Sequence, residues 1–182
     1  LFQIIADPKL WHLLPAKFVR EYLGKWVLDL EALIYRLTPR NNYSGEIPFG
    51  INRTTIGLDL GGAGVEGPKA KLDRTAIAVC QSTESLPTIW VPEAYSLLDV
   101  TVDGLEAHLV ALLQRYPDAV IHIDSASAGA IILETFRRKG LPIRAATKGP
   151  KLRRIQLVQS RIDAGLLRFH IAKTMELRHE YI

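Results

Sequence analysis

Three apolar, strand-like runs follow one another with no helix between them, and after them every strand is parted from the next by a helical stretch. Thr54–Leu60, Arg74–Gln81 and Thr88–Tyr95 make up the first set. The helix Val102–Tyr116, the strand Ala119–Asp124, the helix Ala128–Lys139, the short strand Pro142–Ala145, the helix Lys151–Ala164 and the strand Leu166–Ile171 make up the second. Val102–Tyr116 shows the helical period plainly, with Leu105, Leu109 and Leu112 along one stripe. Strands that follow one another directly pair antiparallel, whereas strands joined through helices pair parallel with right-handed crossovers. A chain that does both is confined to an α/β architecture: one mixed sheet, three antiparallel strands followed by parallel ones, with helices on both faces.

The region before this pattern is different. Pro8–Tyr35 reads as helical, with Leu10, Leu13, Leu14, Phe18, Tyr22 and Leu23 at three- and four-residue steps. Thr38–Arg53 then gathers Pro39, Asn41, Asn42, Ser44, Gly45, Pro48 and Gly50, the composition of a loop or linker. The expected organisation is a helical segment and linker over 1–53 and the mixed-sheet domain over 54–182. The tail Lys173–Tyr181 reads as the start of one more helix. The chain opens on Leu1 rather than Met and reads as part of something longer. No apolar run reaches the ~18 to 20 residues a membrane span needs. The single cysteine, Cys80, has no internal partner, so a reducing, cytoplasmic setting is expected.

Two strands close on an aspartate followed by small residues: Ile56-Gly57-Leu58-Asp59 running into Leu60-Gly61-Gly62, and Val120-Ile121-His122-Ile123-Asp124 running into Ser125-Ala126. Ligand sites of open α/β sheets lie outside the carboxyl ends of the strands, so both acids stand in the functional position. On parallel neighbours roughly 4.8 Å apart, their carboxylates would reach a common point. Two ionised carboxylates so placed repel, and a divalent cation such as Mg²⁺ or Mn²⁺ relieves the conflict. Two such ions bracketing a phosphodiester activate water and stabilise the departing oxygen. The competing reading is that each aspartate is a turn former, or that Asp124 or Ser125 caps the following helix. Asp73, ahead of the second strand, is a third candidate ligand, or it merely starts that strand. His122 lies two residues before Asp124 on the same side and reads as a packed or supporting histidine. His108, His170 and His179 show no metal-ligand spacing.

Charge is unevenly spread. From Arg137 to the end there are twelve Lys or Arg against three acids, a net of +9, and the residues before carry a net of −5. A basic last quarter suits a polyanion, although a solvated helical face accounts for it equally. Lys148, Lys151, Arg153 and Arg154 open the basic helix, where backbone amides and cations together attract phosphate. Nothing resembles a base-reading pattern, so contact independent of sequence is expected.

Taken in order, these residues resemble the nuclease domain of phage terminase large subunits, which has the ribonuclease-H-like fold. The likeness is carried by Ile56–Gly62 with Asp73-Arg74-Thr75-Ala76-Ile77, by Ile121–Ala130, by Lys151…Arg154-Ile155 and Ile162–Leu167, and by Leu177…Glu180. Phe18–Trp26 looks like the segment that joins the family's ATPase domain to its nuclease. The resemblance implies a metal-dependent endonuclease of a viral DNA-packaging motor, cutting concatemeric double-stranded DNA with two metal ions held by three acids. Asp59 and Asp124 match the first two acids. The third lies in a helix beyond the point matching Glu180; Glu176 and Glu180 are the substitutes within reach, but the site is expected to be incomplete within these residues and its activity weak. By the same resemblance the partners are duplex DNA, the terminase small subunit and the portal, in the host cytoplasm. The family's ATPase is absent, since no G-x-x-x-x-G-K-[ST] phosphate loop occurs.

Other readings share parts of this pattern. Gly57–Gly62 also resembles the first phosphate motif of actin-like ATPases and sugar kinases, which need a second lobe and a second phosphate loop. A Holliday-junction nuclease of the same fold would require a dimer and branched DNA. A non-catalytic DNA-binding module would need only the basic helix.

Overall fold

In a computed structural model the chain is described over residues 37–47, 50–61, 74–125, 128–147 and 149–174. Seven strands form one sheet: β1 (Asn42–Tyr43), β2 (Arg53–Asp59), β3 (Thr75–Ser82), β4 (Ile89–Leu97), β5 (Val120–Ile123), β6 (Ile143–Ala145) and β7 (Leu167–His170). Three helices, α1 (Val102–Arg115), α2 (Ala128–Arg138) and α3 (Lys151–Asp163), link the later strands. The spatial order is β1-β7-β4-β3-β2-β5-β6. β3 runs antiparallel to both of its neighbours and every other pairing is parallel. This is the mixed sheet the sequence pattern predicts.

The main core lies on one face. Ile56 and Leu58 of β2, Ile77 and Val79 of β3, Ile121 and Ile123 of β5 and Ile143 of β6 meet Leu105, Leu109 and Leu112 of α1 and Ile132, Leu133 and Phe136 of α2. Burying each such side chain contributes about 1.5 to 3 kcal/mol. Thr101 caps α1, its hydroxyl accepting from the Gly104 amide at 3.1 Å. α2 ends at Gly140 and α3 at Gly165, both at positive φ, which a side chain would resist. α1 and α2 both step towards β6 along the sheet, so right-handed crossovers put them on the same face. α3 returns the chain from β6 at one edge to β7 on the far side, and the same handedness sends it across the other face. A smaller cluster there, Val91, Ala94 and Phe169 with Ala78 and Cys80, closes the β3–β4–β7 part.

The residues Thr38–Arg53 are more ordered than their composition suggests. Pro39–Asn41 form a 3-10 turn, and β1 adds a parallel edge strand beside β7. Asn41 is fully buried. Its side-chain amide donates to the carbonyls of Ile162 at 2.8 Å and Leu167 at 3.0 Å, and its Oδ1 accepts from the Thr38 amide at 2.9 Å. One asparagine thereby ties this segment to α3 and β7. The helical stretch Pro8–Tyr35 lies outside the described residues, as does most of Lys173–Tyr181; Lys173 and Thr174 sit in a turn.

Candidate metal centre

The alternation of β2 sets up the site. Thr54, Ile56 and Leu58 are buried towards α1 and α2, so Arg53, Thr55, Gly57 and Asp59 belong to the opposite face. On β5, Ile121 and Ile123 are buried in the same core, which puts His122 on that opposite face as well. β2 and β5 are parallel, with Gly57 opposite His122 and Leu58 opposite Ile123. Asp59 closes β2, and Asp124 is the first residue after β5. Asp59 and Asp124 thus follow the last paired positions of two adjacent parallel strands, at their carboxyl ends.

Local packing explains the small residues that follow. α2 is described from Ala128. Gly129, in its first turn, lies against the Asp124 carbonyl, and a Cβ there would overlap that oxygen and touch the Leu60 side chain at 3.9 Å. After Asp59 the chain turns closely over the start of β3. The Gly61 amide donates to the buried Thr75 hydroxyl at 3.3 Å, and a Cβ on Gly61 would collide with the Arg74 backbone. The residue paired with Asp59 on β3 is Ala76, whose methyl leaves room on that side. Asp59 is exposed and Asp124 half-buried.

The donor set suits a hard divalent cation. Two carboxylates that converged would demand a positive partner, and oxygen ligands are what Mg²⁺ and Mn²⁺ prefer. Among the described residues no third His, Cys, Asp or Glu joins them in a metal-ligating group. Asp73, Glu176 and Glu180, the other acids the sequence offered, lie outside the described residues. Glu93, a buried acid, is excluded by place: it pairs with Arg115 at 3.1 Å, at the C-terminus of α1 and so at the opposite end of the parallel strands. Burial pushes the Tyr116 phenol well up, and a hydrogen bond to Glu93 adds to the shift.

His122 sits behind the aspartates, level with Gly57 on one side and Arg144 of β6 on the other. Burial, then the charges of Arg53 and Arg144, hold its imidazole below the usual histidine range. His170 has a packing role: its ring meets Tyr43 edge-on at 5.3 Å and its Nδ1 accepts from the Lys173 amide at 3.3 Å. Burial pushes the Cys80 thiol up to about 11, the behaviour of an inert packed cysteine.

Of the phosphate-binding candidates, Lys151, Arg153 and Arg154 are exposed in the first turn of α3. β6 runs parallel to β5, so the chain leaves it at the same end of the sheet as Asp59 and Asp124, and α3 starts there. No side chain hydrogen-bonds to the start of α3 from its N-cap, Pro150. Lys148 lies outside the described residues. Two residues escaped the sequence reading, Arg144 and Gly129. A three-residue strand gives no alternation from which to place Arg144, whereas Gly129 was visible inside the small-residue run Ser125–Ala130.

No family model and no curated protein matches this sequence. Solved structures do. The chain is similar to the large terminase of a thermophilic bacteriophage, with a TM-score of 0.65 and 16% identity, over 95% of this chain and 41% of that one. It is also similar to the nuclease domain of the P22 large terminase, with a TM-score of 0.64 and 8% identity over 81% of this chain and 76% of that one. A third is the SPP1 large terminase nuclease domain with bound Mn, at 0.53 and 17%, over 78% and 77%. The chain thus spans about two fifths of the large terminase chain it matches. At such identities the likeness establishes the fold, and the fold is that of the terminase nuclease domain, ribonuclease-H-like.

Proposed function

We propose that this chain, carrying a terminase nuclease fold, is a divalent-metal-dependent endonuclease that cuts concatemeric double-stranded DNA during viral genome packaging. The observation that supports this reading is the parallel register of β2 against β5, in which Leu58 opposite Ile123 is the last pair and Asp59 and Asp124 are the residues that follow. In this reading the two aspartates hold Mg²⁺ or Mn²⁺, and the SPP1 domain with bound Mn supports that choice. When bound, such ions lower the pKa of water and stabilise the charge that develops on a phosphodiester. The chain's own residues fix where this happens. Gly129 and Gly61 let backbone close in around the strand ends, and Ala76 keeps one flank of Asp59 clear. Lys151, Arg153 and Arg154 draw the DNA backbone to the same end of the sheet, with Lys148 expected to join them.

A third carboxylate completes the set in this reading, from Asp73, Glu176 or Glu180 or from beyond Ile182. The division into a helical connection over 1–53 and a nuclease domain over 54–182, the small subunit and portal as partners, and action in the host cytoplasm all follow from the terminase reading and stand or fall with it.

Incubation of supercoiled plasmid with Mn²⁺ or Mg²⁺ tests the proposal. Nicked and then linear products are expected, abolished by EDTA. Asp59→Asn should lower the rate about 100-fold or more, because a metal ligand is lost. Its stability should change by no more than about 0.5 kcal/mol, since Asp59 is exposed. Cleavage that survives Asp59→Asn in a normally folded protein would overturn the assignment.

A further inference from the structure

We propose that Arg74, held against Ser96 on the β3–β4 side of Asp59, is a clamp for a DNA phosphate next to the one cleaved, on the opposite flank of the metal centre from the start of α3. The inference deepens the nuclease reading and rests on it.

Register places the pieces. Asp59 is opposite Ala76 of β3, and Ala76 is opposite Ser96 of β4, so the three form one row across the strands. Tyr95 and Leu97 pack against the α1–α2 core, which turns Ser96 between them to the other face, that of Asp59. The Arg74 guanidinium donates from Nη1 to the Ser96 hydroxyl at 3.0 Å, so it stands on that face too. Arg74, Asp59 and Ala76 are exposed and Ser96 is half-buried. α3, which crosses this face, leads into β7 at Leu167, opposite Ile89 at the start of β4. That is the far end of β4 from Ser96.

The sheet order puts β3 and β4 on one side of β2 and β5, and β6, after which α3 starts, on the other. Cations therefore flank the aspartates on both sides: Lys151, Arg153 and Arg154 towards β6, and Arg74 over β4. A polyanion lying across the strand ends meets both, with its reacting group between them. Ser96 is two strand spacings from Asp59, about 10 Å. A phosphate at the metal centre is out of reach from there, and a neighbouring one on the same backbone is not. A guanidinium carries its N–H donors in a fixed fork, and one bond to Ser96 orients that fork before a ligand arrives. A side chain held beforehand loses less freedom on binding than a loose one. Ala76 fits the same picture. An exposed strand position favours a β-branched residue, yet here a methyl group keeps the path between Asp59 and Ser96 low.

The test measures binding of a short fluorescent duplex by the whole chain in an Asp59→Asn background, so that cleavage does not intervene. Arg74→Gln should weaken binding about 3- to 10-fold, lower the log–log salt slope by about 1 and leave the melting temperature where it was. Ser96→Ala keeps the charge and removes only the tether, so it should weaken binding about 2-fold with the slope unchanged. Arg138→Gln, the same charge change on α2, should alter neither affinity nor slope. With Asp59 restored, Arg74→Gln should raise KM for plasmid and hold kcat within about 2-fold, because the arginine does not touch the reacting phosphate. The clamp is overturned if Arg74→Gln and Arg138→Gln bind alike, or if Arg74→Gln lowers kcat as the loss of a metal ligand does. A parent protein with no Mn²⁺-dependent cleavage would instead count against the nuclease reading, because the binding assay does not depend on it.

Discussion

The two faces of this sheet differ in how their side chains are satisfied, and the contrast separates what holds the fold from what the fold is for. On the α1–α2 face, apolar residues from four strands and two helices exclude water, and the cations at its rim are matched by acids. Across β2, β5 and β6 the opposite face carries Arg53, Asp59, His122 and Arg144, none of them in the apolar core, with Asp124 just past the end of β5. One strand serves both: β2 alternates buried and unburied positions, so every second residue is free for chemistry. Damage to the first face should therefore act through stability and damage to the second through function.

The largest expected effect is on the first face. Phe136 of α2 is fully buried in the core that includes Ile123 and Ile143. Phe136→Ala should cost about 3 to 5 kcal/mol. For a domain of marginal stability that is a large fraction of the total. A chemical denaturation midpoint that stayed put would show that α2 is not part of the cooperative core. The comparison is sharpest where the faces meet, at Gly129. Gly129→Ala forces a methyl into the Asp124 carbonyl, so α2 or the end of β5 must move, at about 1 to 3 kcal/mol. The same shift displaces Asp124, so Mn²⁺-dependent cleavage should fall further than the stability loss explains. Equal activity per folded molecule would mean that the end of β5 tolerates the movement.

How much of this was legible depended on whether the signal was local. Asp59 and Asp124 stood out because each closes an apolar run, and the element order implied the crossovers that make their strands parallel neighbours. Asn41 was opaque. Between Pro39 and Ser44 it reads as a turn residue, and only the folded chain brings the carbonyls of Ile162 and Leu167 to its amide. The basic tail misled in a different way. It counted Arg137, Arg138, Lys139, Arg144 and the α3 cations as one block, whereas the fold matches the first three with acids and leaves Arg144 on the other face. Charge pattern is linear in the sequence; compensation is decided across space.

A smaller effect is expected at the start of α3. Arg153 and Arg154 are exposed and packing does not depend on them. Reversing both, as Arg153→Glu with Arg154→Glu, should weaken duplex binding about 10-fold at low salt and reduce the salt slope by about 2. The weakening should be the same for unrelated sequences, since contacts to phosphate carry no base information. Unchanged affinity and slope would remove α3 from the interface and leave Arg74 as the cationic contact.

The smallest expected effect is the most discriminating between position and bulk charge. Glu134 is half-exposed and pairs with Arg137 and Arg138 one helical turn away. Exposed pairs of this kind contribute roughly 0.3 to 0.5 kcal/mol, so Glu134→Gln should barely move the melting temperature. It raises the net charge by one and frees two arginines, yet on the helix-covered side. If overall charge governed attraction to DNA, Glu134→Gln would tighten binding about as much as Arg74→Gln weakens it. If the arrangement of charge governs it, Glu134→Gln should bind as its parent does, within about 1.5-fold. Tighter binding would mean that the two faces, however differently packed, are equivalent to an approaching polyanion.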